Sequence, residues 1–226
     1  MHAANMAGVC VALVSGGIDS PVAVARMLMN GWKIYPVHAS QEPITGPEGE
    51  TKAIAALQHL LQIEGPVGDA ARENLVRRMT VVPVAEVLSQ FTKKWSHSEY
   101  FIHMKRLFNE IANLASEECD ATHLLTGENL GQVSSQTLGN LGGVEIISKL
   151  EILRPLLALD KITIMAMARK LGTLEISEGP EICDALGPAK PTTVANKEWL
   201  EKSENRLGGL QHLASECYAN KRFVDF

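Results

Sequence analysis

The stretch Leu13-Val14-Ser15-Gly16-Gly17-Ile18-Asp19-Ser20 constrains this chain more than any other. The apolar run Val9–Val14 reads as a buried parallel strand: short, β-branched and ended by a glycine pair. Beyond it, Ser20 suits an N-cap and Pro21 the first turn of an amphipathic helix. Between the two, Ser15, Gly16 and Gly17 can present backbone N–H groups with little side chain in the way. Those donors lie beside the positive end of a helix, which makes the junction an anion site. Asp19 adds a condition. A carboxylate next to a phosphate is repulsive unless a divalent metal or a hydroxyl donor lies between them, so the loop suits a Mg-nucleotide. Neither Gly-Lys-Ser/Thr nor G-x-G-x-x-G is present here, which sets aside the two commonest phosphate loops.

The chain has 226 residues, enough for one large or two small domains. At 46% apolar and 21% charged residues it can fill a core, and its mean hydropathy is +0.01. It has no run of 18 apolar residues, so no membrane partner is expected. Met1–Met6 lacks the charged and apolar regions of a signal peptide, so the expected location is cytoplasmic. The net charge is −5, whereas a chain that grips a long nucleic acid unaided is usually basic. The clusters Arg72/Arg77/Arg78 and Lys93/Lys94 read as solvated faces. The four cysteines have no C-x-x-C spacing, which argues against zinc and, in a reducing compartment, against disulfides. Cys10 falls in the first strand and reads as core, and Cys119 and Cys217 read as ordinary helix cysteines. Cys183 stands in a loop-like segment where a thiol can be exposed.

Strands and helices alternate. Strands are expected at Val9–Val14, Lys33–Val37, Met79–Val84, His123–Leu125 and Glu151–Leu153. Helices are expected at Pro21–Asn30, Glu50–Ile63, Ala85–Thr92, Glu99–Glu118, Leu130–Leu141, Lys161–Leu171 and Lys197–Ala219, with breaks at Gln41–Gly49 and Gly65–Ala71. This order predicts an α/β fold, a Rossmann-like parallel sheet with helices on both faces. The main domain is expected over 1–194 and a short C-terminal helical tail over 195–226. Ligands bind such sheets outside the carboxyl ends of the strands. There the chain places the glycine loop, His38-Ala39, Thr126–Asn129 and Arg154-Pro155.

The pattern S-G-G-x-D-S resembles the PP-loop of ATP pyrophosphatases of the adenine-nucleotide α-hydrolase type. Further motifs narrow the resemblance. Leu125–Leu138 reads L-T-G-E-N-L-G-Q-V-S-S-Q-T-L, Leu153–Lys161 reads L-R-P-L-L-A-L-D-K, and Gly172-Thr173 precedes Pro180-Glu181-Ile182-Cys183. Together with Met104–Leu107, in this order, they resemble the tRNA 4-thiouridine synthetases, also called tRNA sulfurtransferases or ThiI-like proteins. The resemblance covers about Val9 to Val194.

It implies an enzyme that uses ATP and Mg2+. ATP would be bound by Leu13, Val14, Ser15, Gly16, Gly17, Asp19, Ser20, His38, Ala39, Lys105, Gly127 and Gln136. Asp19, Lys161 and Cys183 would carry the chemistry: Asp19 through Mg2+ on the leaving pyrophosphate, Lys161 against phosphate charge, Cys183 as the sulfur-handling thiol. No other metal site is implied. His38 also suits a plain strand-end histidine, Lys105 a surface lysine, Gly127 a turn glycine and Cys183 a structural thiol. Arg154 would orient Asp160 or a phosphate, or be structural. Glu181 and Asp184 would raise the pKa of Cys183, so Lys190 or a helix end would have to offset them.

The reaction implied is adenylation of a tRNA uridine O4 with release of pyrophosphate, then sulfur transfer giving 4-thiouridine. The family's bacterial members also carry a THUMP domain that grips tRNA, and some a rhodanese domain. Neither is recognisable here. tRNA would therefore come through a separate THUMP-type protein, and sulfur through a persulfide donor such as a cysteine desulfurase or rhodanese acting in trans. Two alternatives stay open: a one-domain relative with another substrate in sulfur or thiamine metabolism, and a nucleotide-binding subunit. A homodimer is also left open.

Overall fold

The computed structural model describes residues 7–131, 136–179 and 185–226. Six strands form one sheet in the order β5-β4-β1-β2-β3-β6. These are β1 (Gly8–Leu13), β2 (Trp32–Ser40), β3 (Arg78–Pro83), β4 (His123–Leu125), β5 (Glu151–Leu153) and β6 (Arg222–Asp225). Each pairing is parallel except that of β6, which runs antiparallel to β3 with Arg78 opposite Asp225.

The pleat of β1 explains the layering. Cys10 and Ala12 point to one face, where they join α1 (Asp19–Met29), α2 (Glu48–Gln62), α3 (Pro66–Asn74), α7 (Lys161–Leu171) and α8 (Leu174–Ser177). Val11 points to the other face, covered by α4 (Ala85–Gln90), α5 (Tyr100–Glu117) and α10 (Leu210–Ala219). Both faces of the central strands are thereby buried, which is why they read as unbroken apolar runs. The expected Rossmann-like α/β sheet with helices on both faces is the fold observed. No described helix is long and apolar enough to cross a membrane.

The element readings need four corrections. Helix α1 begins at Asp19, two residues earlier than read, and Ser20 is not its N-cap; Ile18 holds that position without a side-chain bond. Gly65–Ala71, read as a break, begins helix α3, because Pro66 sits at its first turn where a missing N–H costs nothing. The helix read over Leu130–Leu141 is α6 (Leu138–Glu145), capped by Thr137, whose hydroxyl accepts the Asn140 N–H at 3.2 Å. Leu130 instead donates its N–H to the Leu157 carbonyl at 3.0 Å, which holds it in a loop. Lys197–Ala219, read as one helix, is α9 (Lys197–Asn205) and α10, split by Gly208 and Gly209 at φ of 99° and 94°. The tail is helical as expected, and it adds a strand, β6, that the pattern did not suggest.

The tail is joined to the rest by a buried ion pair. Arg106 on α5 donates to both carboxylate oxygens of Glu204 on α9, at 2.6 and 2.9 Å, and to the Gly143 carbonyl of α6 at 2.7 Å. His103 Nδ1 lies 3.0 Å from the same carboxylate. Both Arg106 and Glu204 are buried. Burial alone would raise the pKa of Glu204, but the bonds from His103 and Arg106 and their charges outweigh it and hold it below the ordinary carboxylate value.

Glu204→Gln leaves a buried guanidinium without its counter-charge, and should cost about 3–5 kcal/mol in denaturant unfolding at pH 7. Because the folded-state pKa is depressed, the contribution is whole above the unfolded value and is lost as pH falls through the folded one. The stability difference between wild type and the variant should therefore shrink as the solution is taken below pH 4.5, the ordinary value of the group.

Candidate active site

The strand order places the site. From β1 the chain moves outward through β2 and β3, then returns to β4 on the other side of β1. The switch point lies between β1 and β4, where the following loops part and leave a crevice. A cleft of about 1110 Å3 opens there.

The loop after β1 forms its floor. Ser20 Oγ accepts the Ser15 N–H at 3.3 Å, and Ser15 Oγ accepts the Gly17 N–H at 3.4 Å. Ser20 thus ties the loop back on itself rather than capping α1. Gly16 has a φ of 77°, and a Cβ there would lie 2.3 Å from the Gly49 carbonyl oxygen, so the loop packs directly on the start of α2. Gly127 plays the matching part from β4. A Cβ on it would lie 3.0 Å from Asp19 C and Ser20 N. The glycine read as giving close approach to a nucleotide gives close approach to the first turn of α1.

His38, at the end of β2, is buried and its Nδ1 lies 2.7 Å from the Val14 carbonyl oxygen. A carbonyl only accepts, so Nδ1 carries the proton. Burial, only partly offset by the Val14 bond and nearby carboxylates, lowers the imidazole's pKa. The ring is therefore neutral at pH 7 and offers Nε2 as an acceptor. Helix α5 supplies one wall with Phe101, Met104, Lys105 and Phe108, which share a face at helical spacing. Lys161 enters from the first position of α7, whose cap is Asp160; that carboxylate accepts the Thr163 N–H at 2.7 Å, which depresses its pKa.

Glu128 is the hub that the sequence reading passed over. It accepts from Lys105 Nζ at 2.7 Å and from Arg154 Nε at 2.8 Å, and Arg154 continues to Glu145 at 2.7 Å. Burial would raise its pKa, but Lys105 and Arg154 hold it below the ordinary value. Arg154 therefore does not orient Asp160: its bonds run to Glu128 and Glu145.

Leu13, Val14, Ser15, Gly16, Gly17, Asp19, Ser20, His38, Ala39, Lys105, Gly127, Gln136 and Lys161 all line this one cleft. Cys183, with Glu181 and Asp184, lies outside the described residues. Lys190, read as its possible partner, is exposed and does not line the cleft. Gln41, Lys52, Glu50 and Ser177 also line it, and motif reading did not find them. Gln41 Oε1, Gln136 Oε1 and Ser177 Oγ are buried there without hydrogen-bond partners among the described residues. Buried polar atoms are nearly always satisfied, so three lining one cleft fit a polar ligand. Glu50 is tied by Arg222 of β6, 2.5 Å away, so the tail braces the rim.

Comparison with known proteins gives the family. The family model described as thiamine biosynthesis protein (ThiI) matches residues 5–208. The chain belongs to the ThiI family. A probable tRNA sulfurtransferase of Macrococcus caseolyticus (strain JCSC5402) is 32% identical over 199 residues, which is 87% of this chain and 47% of that protein. A solved 4-thiouridine synthetase–RNA complex with bound ATP superposes with a TM-score of 0.85 at 32% identity, covering 96% of this chain and 55% of that one. The chain thus spans about half the length of these two ThiI relatives. NMN synthetase from Francisella tularensis, at 13% identity and a TM-score of 0.55, shares the fold; the match covers 95% of this chain and 85% of that one.

The two loop glycines should respond differently to alanine. Gly16→Ala meets both a left-handed backbone and the Gly49 carbonyl, and should lower unfolding stability by about 1–2 kcal/mol or more. Gly17→Ala meets only Ser15 Oγ, at 3.4 Å. It should change stability by less than about 0.5 kcal/mol. Denaturant melts of the two variants side by side check this.

Proposed function

We propose that this chain is the ATP-pyrophosphatase unit of a tRNA-thiolating enzyme. The observation that carries the reading is the convergence of the motif residues from β1, β2, α5, the β4 loop and α7 on a single cleft at the switch point. The ThiI relatives named above lend it the substrate: one is a probable tRNA sulfurtransferase, the other a 4-thiouridine synthetase bound to RNA and ATP.

In this reading the adenosine lies along the β2 end, between His38-Ala39 and the apolar face of Phe101, Met104 and Phe108. Neutral His38 offers Nε2 to a ribose hydroxyl or an adenine donor, and Gln136 Oε1 takes a second hydrogen bond from the nucleotide. The N–H groups of Ser15 to Gly17 hold phosphate oxygens, and Lys161 faces the charge that grows as pyrophosphate leaves. Uridine O4 attacks the α-phosphorus, the bond to the β-phosphate oxygen breaks, and pyrophosphate departs. The terminal sulfur of a persulfide then attacks C4 and AMP leaves, a far better leaving group than hydroxide. The Cys183 thiolate would then attack the carrier's own sulfur and break its bond to the sulfur now on C4, so that 4-thiouridine leaves and a Cys183–carrier disulfide remains, a role that rests on the P-E-I-C motif alone.

Mg2+ would offset phosphate charge while bound to ATP. The described residues include no cluster of three or more His, Cys, Asp or Glu side chains placed to hold a metal. Asp19 is accordingly the protein carboxylate proposed to reach it. The tRNA grip and the persulfide carrier are assigned to partners or to further domains.

Pyrophosphate release from ATP and Mg2+, measured with and without unmodified tRNA, tests the proposal. Release should rise at least about tenfold with tRNA, and Lys161→Ala should cut it by about two orders of magnitude, the range for one preorganised charge contact. Release indifferent to tRNA would point to another substrate. Tight ATP binding with no release under either condition, nor when a THUMP-type tRNA-binding protein is added, would overturn the enzymatic reading.

A further inference from the structure

The cations of the cleft divide unevenly. Its described lining includes three lysines, Lys52, Lys105 and Lys161. Lys105 is committed to Glu128 at 2.7 Å. Lys161 sits at the start of α7, where the reading above sets it against ATP phosphates. Lys52, on α2, has no ion pair or hydrogen bond among the described residues. A long cationic side chain is costly to hold in place without a counter-charge, yet this one has a berth. Its Nζ lies so close to Gly179 that a Cβ there would be 2.7 Å away, and Gly179 has a φ of 128°, where side chains are rarely found. The bare α-carbon makes room for the ammonium.

Ser177 precedes this glycine by two residues. It closes α8, is only 6% exposed, and its Oγ has no partner among the described residues. It lines the same cleft. A buried hydroxyl and an ammonium on neighbouring chain segments, both unpaired among the described residues, can donate together to the anionic oxygens of a phosphate. Glu42 and Glu178 border the same space and are exposed, so water screens them.

We propose that Lys52 and Ser177 form a second phosphate subsite on the α2/α8 wall of the cleft, and that it takes a phosphodiester of the RNA substrate. The inference rests on the tRNA reading above and adds to it the place where the strand is held. The backbone beside the target nucleotide must be fixed for its base to reach the α-phosphorus of ATP. Phosphate contacts of this kind set register without reading sequence.

ATP also carries phosphates, so the two sources are tested in separate arms. Binding of unmodified tRNA and binding of ATP are measured for the unsubstituted chain and for Lys52→Met, Lys52→Arg and Ser177→Ala, with melting temperatures to show that each variant folds. Lys52→Met should weaken tRNA binding about fivefold or more and reduce the slope of log affinity against log salt by about 1, as expected for one lost phosphate contact. Ser177→Ala should weaken it about threefold and leave that slope unchanged, since no charge is lost. Lys52→Arg should restore most of the affinity. ATP affinity should stay within about twofold throughout. A fall in ATP affinity, alone or together with tRNA affinity, would overturn the proposal and give the subsite to the triphosphate. Unchanged affinity for both would overturn it as well. If the unsubstituted chain neither binds tRNA nor releases pyrophosphate in response to it, even with a THUMP-type tRNA-binding protein added, the function proposed above fails first, and the subsite with it.

Discussion

The architecture of the site hangs on a carboxylate that burial disfavours. Glu128 lies in the loop after β4, and its charge survives because Lys105 reaches it from α5 and Arg154 from the end of β5. Two cations on different elements answer one carboxylate, so the loop after β4 is fixed relative to both. Arg154 then carries the tie on to Glu145 at the end of α6. The β4 loop is also the one that Gly127 presses against the first turn of α1. Fixing Glu128 therefore fixes the spacing between the two halves of the crevice. It also sets the place of Lys105, whose position on the cleft wall is stabilised before any anion arrives.

The glycine loop is held by a different physics. Its geometry depends on close backbone packing, with Gly16 against the Gly49 carbonyl and Gly127 against Asp19 and Ser20. Hydrogen bonds from within the loop do the rest: Ser20 and Ser15 use their hydroxyls to accept loop N–H groups. A loop of this sort is preorganised, so little reorganisation is needed when negative charge enters. His38 belongs to the same scheme. Its bond to the Val14 carbonyl joins the end of β2 to the start of the loop and fixes the tautomer that the cleft presents.

The last part of the chain is bound into this arrangement at three points. Arg106 and Glu204 bury an ion pair between α5 and α9, α10 covers the sheet face beneath α5, and β6 extends the sheet edge. From β6, Arg222 reaches Glu50 at the rim of the cleft. Arg106 illustrates how far neighbouring basic residues can diverge. It stands next to Lys105 on one helix, yet Lys105 faces the cleft and Arg106 the interior, because adjacent helical positions point about 100° apart.

What the sequence determined by itself was the periodicity and the local chemistry. Alternating β-branched runs and amphipathic helices dictated an α/β sheet covered on both faces. The residues of S-G-G-I-D-S and T-G-E-N marked strand ends, where sheets of this kind take ligands, and L-D-K the start of a helix. Local signals are enough for that, since hydrophobic period and turn chemistry act over a few residues. The tertiary structure alone decided the partners. Nothing local couples Glu128 to Arg154, Arg106 to Glu204, or Arg222 to Glu50, pairs separated by 26, 98 and 172 positions. Nor does anything local bring Lys52 beside Gly179, or show that Ser20 closes its own loop rather than capping α1. Such choices depend on which side chains lose water together, and only the packed chain fixes that.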